Sequence, residues 1–176
     1  MVCKTFDELE KVLKEKIEFA MITEVSDIVD EAILDHIQTD VYDVYDPMEY
    51  VRRYSDGGLG DKDNLYTSIK IDKNEISMET MNLVQGSKYH RVGERRKISK
   101  NYKKPIAELI EYGSNSPIDY EHPFDKDRAK PPFLSINGLR RPFMENTVEQ
   151  LREDQWHVGA LQVGLVKQGI EVKRNG

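Results

Sequence analysis

The sequence predicts an α+β fold: a long N-terminal helix (or two), a small antiparallel β-sheet, a short central helix and a C-terminal helix. Three observations carry this. Apolar residues recur at helical spacing from Leu9 to Ile37, strict alternation runs from Leu65 to Ile71, and the helical period returns after Pro142. Helices flank the strands with no β-α-β alternation, so the sheet is expected to be antiparallel. The 176 residues are expected to form one domain, 1–176.

Each element has a local cause. Thr5-Phe-Asp-Glu8 reads as a capping box, in which the Thr5 hydroxyl accepts from the Glu8 amide. Leu9, Val12, Leu13, Ile17, Ala20 and Met21 form an apolar stripe that Val25, Ile28, Val29, Ala32, Ile33 and Ile37 continue, giving a helical region over 5–40. It is one helix of about 30 residues or two joined near Ile22-Thr23. Val41 to Pro47 is β-prone but broken by proline, so a short extended piece is expected. Asp56-Gly-Gly-Leu-Gly-Asp-Lys-Asp63 is turn material and lacks the G-x-x-x-x-G-K-[ST] spacing of a phosphate loop.

A β-hairpin is expected over 65–84. Leu65, Thr67, Ile69 and Ile71 share one face, and Asp72 to Glu75 forms the connection. A basic segment follows over 86–104. Pro105 opens a short helix over 105–113 that Gly113 ends. The stretch 114–132 has no period and reads as a long loop, a feature that is usually functional or disordered inside a compact domain. A single C-terminal helix is expected over 142–169, with Gly169 as its cap and Ile170 onward as a closing strand.

Composition narrows the function classes. The chain is 38% hydrophobic and 33% charged, with a mean hydropathy of −0.66, which suits a thin subunit with a modest core. Cys3 is the single cysteine, so no internal disulfide forms and a reducing compartment is expected. Neither a secretory signal nor an apolar run of membrane-spanning length is visible, so a soluble protein made inside the cell is expected.

The net charge of −6 hides an asymmetry. Thr5 to Asp40 carries eleven acids against three bases, a local net of −8, while Gly86 to Lys104 carries eight bases against Glu94, a local net of +7. Either the two segments meet head to tail between copies, or they are two unrelated solvated faces. Lys88, Arg91, Arg95, Arg96, Lys97 and Lys100 are the candidate interface or channel-facing residues. With Tyr89 and Tyr102 at its ends, the basic segment also fits contact with nucleic acid. An overall pI near 5.3 argues against a dedicated DNA binder.

Catalytic signals are absent from the sequence. His36, His90, His122 and His157 have no partner at zinc-ligand spacing, and His36 and His157 read as surface or core residues. Asp119 to Asp127 departs from calcium-loop spacing and reads as a solvated loop. No nucleophile motif appears. No enzyme activity and no cofactor are expected.

The chain resembles the tail-completion, or neck, proteins of tailed bacteriophages. The resemblance rests on Gly60-Asp-Lys-Asp-Asn-Leu65 with Ser68-Ile69, on the short helix with Ala107, Glu111, Tyr112, Gly113 and Ser114, and on Arg141, Pro142, Phe143 and Met144 opening the C-terminal helix. Ile106 stands where that family often has tyrosine, and 86–104 and 114–132 look enlarged. The resemblance implies a virion structural role. Copies would form a homo-oligomeric ring, a hexamer, between the head connector or adaptor and the tail terminator or tail tube. Genomic DNA would cross its channel, and no membrane would be involved. The alternatives are a tail terminator of the same neck, or a nucleic-acid-binding protein acting through 86–104. Reversing Arg95, Arg96 and Lys97 to glutamate is expected to impair head–tail joining while leaving the subunit folded. Normal joining in particles made with that variant removes the interface role.

Overall fold

The computed structural model describes residues 5–44, 52–72, 75–84, 106–112 and 140–172. The N-terminal helical region is unbroken from Phe6 to Tyr42: α1 (Phe6–Ala20), a π turn (Met21–Val25), α2 (Ser26–His36) and a second π turn (Ile37–Tyr42). The Glu8 amide donates to Thr5 Oγ1 at 3.2 Å, and Asp7 and Glu8 sit in the first turn, where the helix dipole favours acids. The first π turn falls where the sequence suggested a join. Thr23 Oγ1 donates to the Phe19 carbonyl at 2.9 Å and Ser26 Oγ to that of Ile22. Such hydroxyls compete for helix carbonyls and bend the ladder.

The short extended piece expected from Val41 does not begin there. Val41 and Tyr42 complete the helical run instead. Val41 lies one turn beyond Ile37 and two beyond Ile33, and all three are buried. Burial of that aligned row outweighs the β preference of a valine.

The core gathers Ile33, Ile37, Val41, Leu59, Val84, Ala107 and Phe143. Leu59 arrives from the glycine-rich turn, which the structure clamps in place. Asn64 Nδ2 donates to the Gly58 carbonyl at 2.7 Å, and buried Asn82 Nδ2 donates to the Leu59 carbonyl at 2.8 Å. A Cβ on Gly58 would stand 2.3 Å from the Tyr54 carbonyl oxygen, so only glycine fits there.

After a short 3-10 turn (Lys62–Asn64), β1 (Leu65–Ile71) pairs antiparallel with β2 (Ile76–Asn82) in the register Leu65↔Asn82 to Ile71↔Ile76. Thr67 and Thr80 face each other with hydroxyls 2.8 Å apart. The Asp72 amide donates to the Glu75 carbonyl at 2.8 Å across the connection. This hairpin and α3 (Ile106–Tyr112) agree with the sequence reading. The basic segment 86–104 and the loop 114–132 lie outside the described residues.

The single helix expected over 142–169 is two: α4 (Phe143–Asp154) and α5 (Trp156–Lys167). Gln155 separates them in the left-handed region, at φ 54° and ψ 25°. The apolar spacing runs across the break in phase, which is why the sequence reads as one helix. Tertiary packing forces the turn, because α4 lies on α2 while α5 lies on α1 and the first π turn. Gly169, at φ 78°, follows the end of α5 as expected, and Ile170 donates to the Leu165 carbonyl at 3.0 Å. Among the described residues, Ile170 to Val172 do not form the expected closing strand.

The α1–α5 pair is a close backbone approach. Gln168 Nε2 donates to the Lys16 carbonyl at 2.8 Å, and Gly164 faces Ala20 one turn along. A Cβ on Gly164 would stand 2.7 Å from Ala20 Cβ and 3.1 Å from Ala20 Cα. Replacing Gly164 by alanine gains up to about 1 kcal/mol of helix propensity and forces an overlap costing about 1–3 kcal/mol. The overlap dominates, so Gly164→Ala is expected to lower stability in urea unfolding. Adding Ala20→Gly to that variant should recover part of the loss by removing the opposing Cβ. An unchanged midpoint for Gly164→Ala contradicts the close approach.

Candidate functional site

The site begins with a problem at the start of α4. The residue before it is Pro142, at φ −80° and ψ 59°, which has no side-chain acceptor; the Phe143 amide turns back to the Arg141 carbonyl at 2.8 Å, but those of Met144 and Glu145 lack a local cap. Glu111 of α3 supplies one from a distant part of the chain. Its Oε2 accepts from the Met144 amide at 2.9 Å and its Oε1 from the Glu145 amide at 3.1 Å. The Arg141 amide donates to the Ile110 carbonyl at 2.9 Å, and Arg140 pairs with Glu145. Both carboxylate oxygens are thus spent on the positive end of a helix.

Ala107 sits one turn before Glu111 and is buried in the core, as is Phe143 with 0% exposure. Arg141 and Pro142 are half-buried and Tyr112 is exposed. Ala107, Glu111, Arg141, Pro142 and Phe143, which the sequence linked only by a family resemblance, therefore meet at one junction. Thr147 reinforces it by donating to the Phe143 carbonyl at 2.7 Å. Gly113 and the six basic candidates Lys88, Arg91, Arg95, Arg96, Lys97 and Lys100 lie outside the described residues.

A second polar junction was not foreseen. His36 Nδ1 lies 2.8 Å from Asp40 Oδ2, and its Nε2 lies 3.0 Å from Gln150 Oε1. Asn146 Nδ2 donates to Asp40 Oδ2 at 2.9 Å. This cluster ties the end of the long helix to α4. The only sequence signal was His36 and Asp40 one helical turn apart, and nothing in one dimension indicates Asn146 or Gln150. Both imidazole nitrogens are engaged, and Thr39 Oγ1 donates to Asp40 Oδ1 at 3.1 Å. The chemistry of the cluster is that of a tether.

The acidic helix is partly matched within the subunit. Lys62 Nζ lies 2.9 Å from Asp27 Oδ1, and Lys167 Nζ lies 2.8 Å from Glu24 Oε1. Both pairs are solvated and contribute little stability. Among the described residues, no group of three or more His, Cys, Asp or Glu side chains could hold a metal ion.

The two junction carboxylates shift in opposite directions. Burial raises the Glu111 pKa above its ordinary 4.5, against the lowering effect of the Met144 amide and Arg140. Burial also raises Asp40, but hydrogen bonds from Asn146, His36 and Thr39 together hold it below 3.8. A raised carboxyl binds its proton more tightly when folded, so its contribution to stability falls as pH rises from 4.5 through the folded pKa. A depressed carboxyl stabilises above 3.8, and that contribution is lost as pH falls through its folded pKa.

Glu111→Ala is expected to cost about 1–3 kcal/mol because it strands two amides, and Glu111→Gln less because one acceptor remains. Exposed Glu108→Ala should stay within about 0.5 kcal/mol. In urea unfolding across pH, Glu111→Gln should flatten the decline above 4.5 and Asp40→Asn the loss below 3.8. Parallel pH profiles for both variants and the parent contradict these assignments.

A family model described as YomN matches residues 5–167, most of the chain. That match suggests a phage origin. No curated protein and no solved structure matches the chain.

Proposed function

Because the chain belongs to the YomN family, we propose that it is a virion structural protein of a phage neck, forming a ring that joins the head connector to the tail. The observation that supports this best is the Glu111 junction. Two of the three short motifs behind the resemblance to tail-completion proteins are well separated in sequence, and Glu111 of one meets the Met144 and Glu145 amides at the other directly. Motifs that hold each other in place belong to a scaffold, and their residues are spent on hydrogen bonds within the subunit.

In this reading the protein acts by assembly, not catalysis, and needs no cofactor. Its partners are further copies of itself in a closed, hexameric ring, the head connector or adaptor on one side, and the tail terminator or tail tube on the other. Genomic DNA passes through the channel. The acidic long helix and the basic segment 86–104 supply complementary potentials between these surfaces. The protein is made in the bacterial host cytoplasm and ends in the virion.

Deleting its gene from an inducible phage is the test. DNA-filled heads and separate, finished tails are expected, with the protein recovered from wild-type necks in ring stoichiometry by mass measurement. Tails of irregular length in the deletion would instead assign it to tail termination. Infectious particles lacking the protein, or tight salt-sensitive DNA binding by the isolated chain with no place in the particle, overturn the neck reading.

A further inference from the structure

Two apolar faces of this chain lie uncovered among the described residues, and they are offset from each other. The first is on α1. Phe6, Leu9 and Leu13 continue the face on which Ala20 meets Gly164. From Lys16 onward that face is covered by α5, but α5 ends beside Lys16, where Lys16 and Gln168 exchange hydrogen bonds. Phe6 lies ten residues earlier, about 15 Å beyond that end. Exposure climbs accordingly, from 38% at Leu13 to 42% at Leu9 and 78% at Phe6. The stripe outruns its intramolecular partner.

The second face is on α5. Trp156, Gly159, Val163 and Val166 share one side of the helix, turned away from the Gly164 contact. Trp156 is 55% exposed, Val163 50% and Val166 58%. A Cβ on Gly159 would meet nothing within 4 Å, so the stripe has an open notch between Trp156 and Val163. A helix that is apolar on all sides is ordinarily buried on all sides.

We propose that Phe6, Leu9 and Leu13 of one copy seat on the Trp156–Val163–Val166 stripe of the next copy, in a head-to-tail contact. It deepens the ring reading above by naming the surfaces, and it concerns self-association alone. A second copy is the occupant because each chain carries both halves, and its own α1 runs straight past the end of its own α5. Charge agrees with this. The exposed start of α1 carries Asp7, Glu8, Glu10 and Glu15 against Lys11 and Lys14, whereas α5 has no acid to repel it, its Lys167 being paired with Glu24 of its own subunit. A membrane surface is a poor occupant, because an acidic polar face is the reverse of what anionic lipid attracts. The faces differ, so the contact is heterologous, the kind that builds a ring where its rotation closes. Fully covered, the six side chains remove roughly 600 Å² from water, below the roughly 1,200 Å² of a stable specific interface. The isolated chain therefore associates weakly, and ring closure adds strength by making the last contact intramolecular.

Sedimentation of the full chain over a concentration series, with two variants, tests this. Leu9→Glu spoils the first face and Val163→Glu the second. Each alone should weaken self-association at least tenfold, with unfolding temperature unchanged. Mixed together, the two variants should form a one-to-one dimer and nothing larger, since each retains the face the other lacks. Phe6→Ser and Trp156→Ser, more exposed still, replace them if either fails to fold. A parent chain that stays monomeric at millimolar concentration overturns the proposal. So does a Leu9→Glu variant that associates like the parent, or a mixture that remains monomeric. None of these outcomes depends on particles, so the neck reading stands or falls separately.

Discussion

The carboxylate of Glu111 on the first amides of α4 is the constraint from which the C-terminal half of the subunit takes its position. Pro142 fixes the entry of the chain but offers no side-chain acceptor to the amides of Met144 and Glu145. A carboxylate has two oxygens and can answer two amides at once. With them answered, Phe143 enters the core beside Ala107, and α4 leaves at the angle that lays it on α2. The left-handed turn at Gln155 then returns the chain, and α5 reaches α1. Burial disfavours the charged form of Glu111, so the helix terminus is held by a group that would be more comfortable in water. The core contacts on either side offset that cost.

The long N-terminal helix is the other half of this arrangement. It serves two partners, α5 from Lys16 through the first π turn and α4 along α2, so the π turn lies where one partner gives way to the other. A π turn holds one more residue than an α turn, so it rotates the faces before and after it relative to each other. That rotation lets a single stretch of chain present small residues to α5 at Ala20 and a row of large ones to the core at Ile33, Ile37 and Val41. The second π turn keeps Val41 in that row. An ideal helix would drift away from it.

Periodicity made the helices and the hairpin legible in the sequence because each depends on residues a few positions apart. The cap at Thr5, the face of Leu65, Thr67, Ile69 and Ile71, and the stop at Gly169 are all local signals, and the structure agrees with them except that Ile71, at the hairpin end, is exposed. The misreadings share a different cause. Gln155 breaks a helix with no glycine or proline to announce it, and Val41 stays helical against its own preference, because contacts far along the chain decide both. The same holds for the junctions. Ala107, Glu111 and Phe143 could be singled out as motif positions, but that Glu111 caps a helix more than thirty residues away is a three-dimensional fact. Asn146 and Gln150, beside His36 and Asp40, carried no signal at all.

Glu24 and Lys167, which join the first π turn to the last helix, are 143 positions apart. On a ribosome moving at about 5–20 residues per second, the N-terminal helix emerges roughly 7–30 s before the segment that covers it. Through that interval the face around Ala20 lacks the helix that covers it, although Ile33, Ile37 and Val41 already have Leu59 and Val84 to meet. The eleven acids between Thr5 and Asp40 then acquire a meaning separate from the finished particle. Like-charged nascent helices on neighbouring ribosomes repel one another while their stripes are bare. That repulsion opposes contact between bare stripes until α5 arrives to cover the face from Lys16 onward.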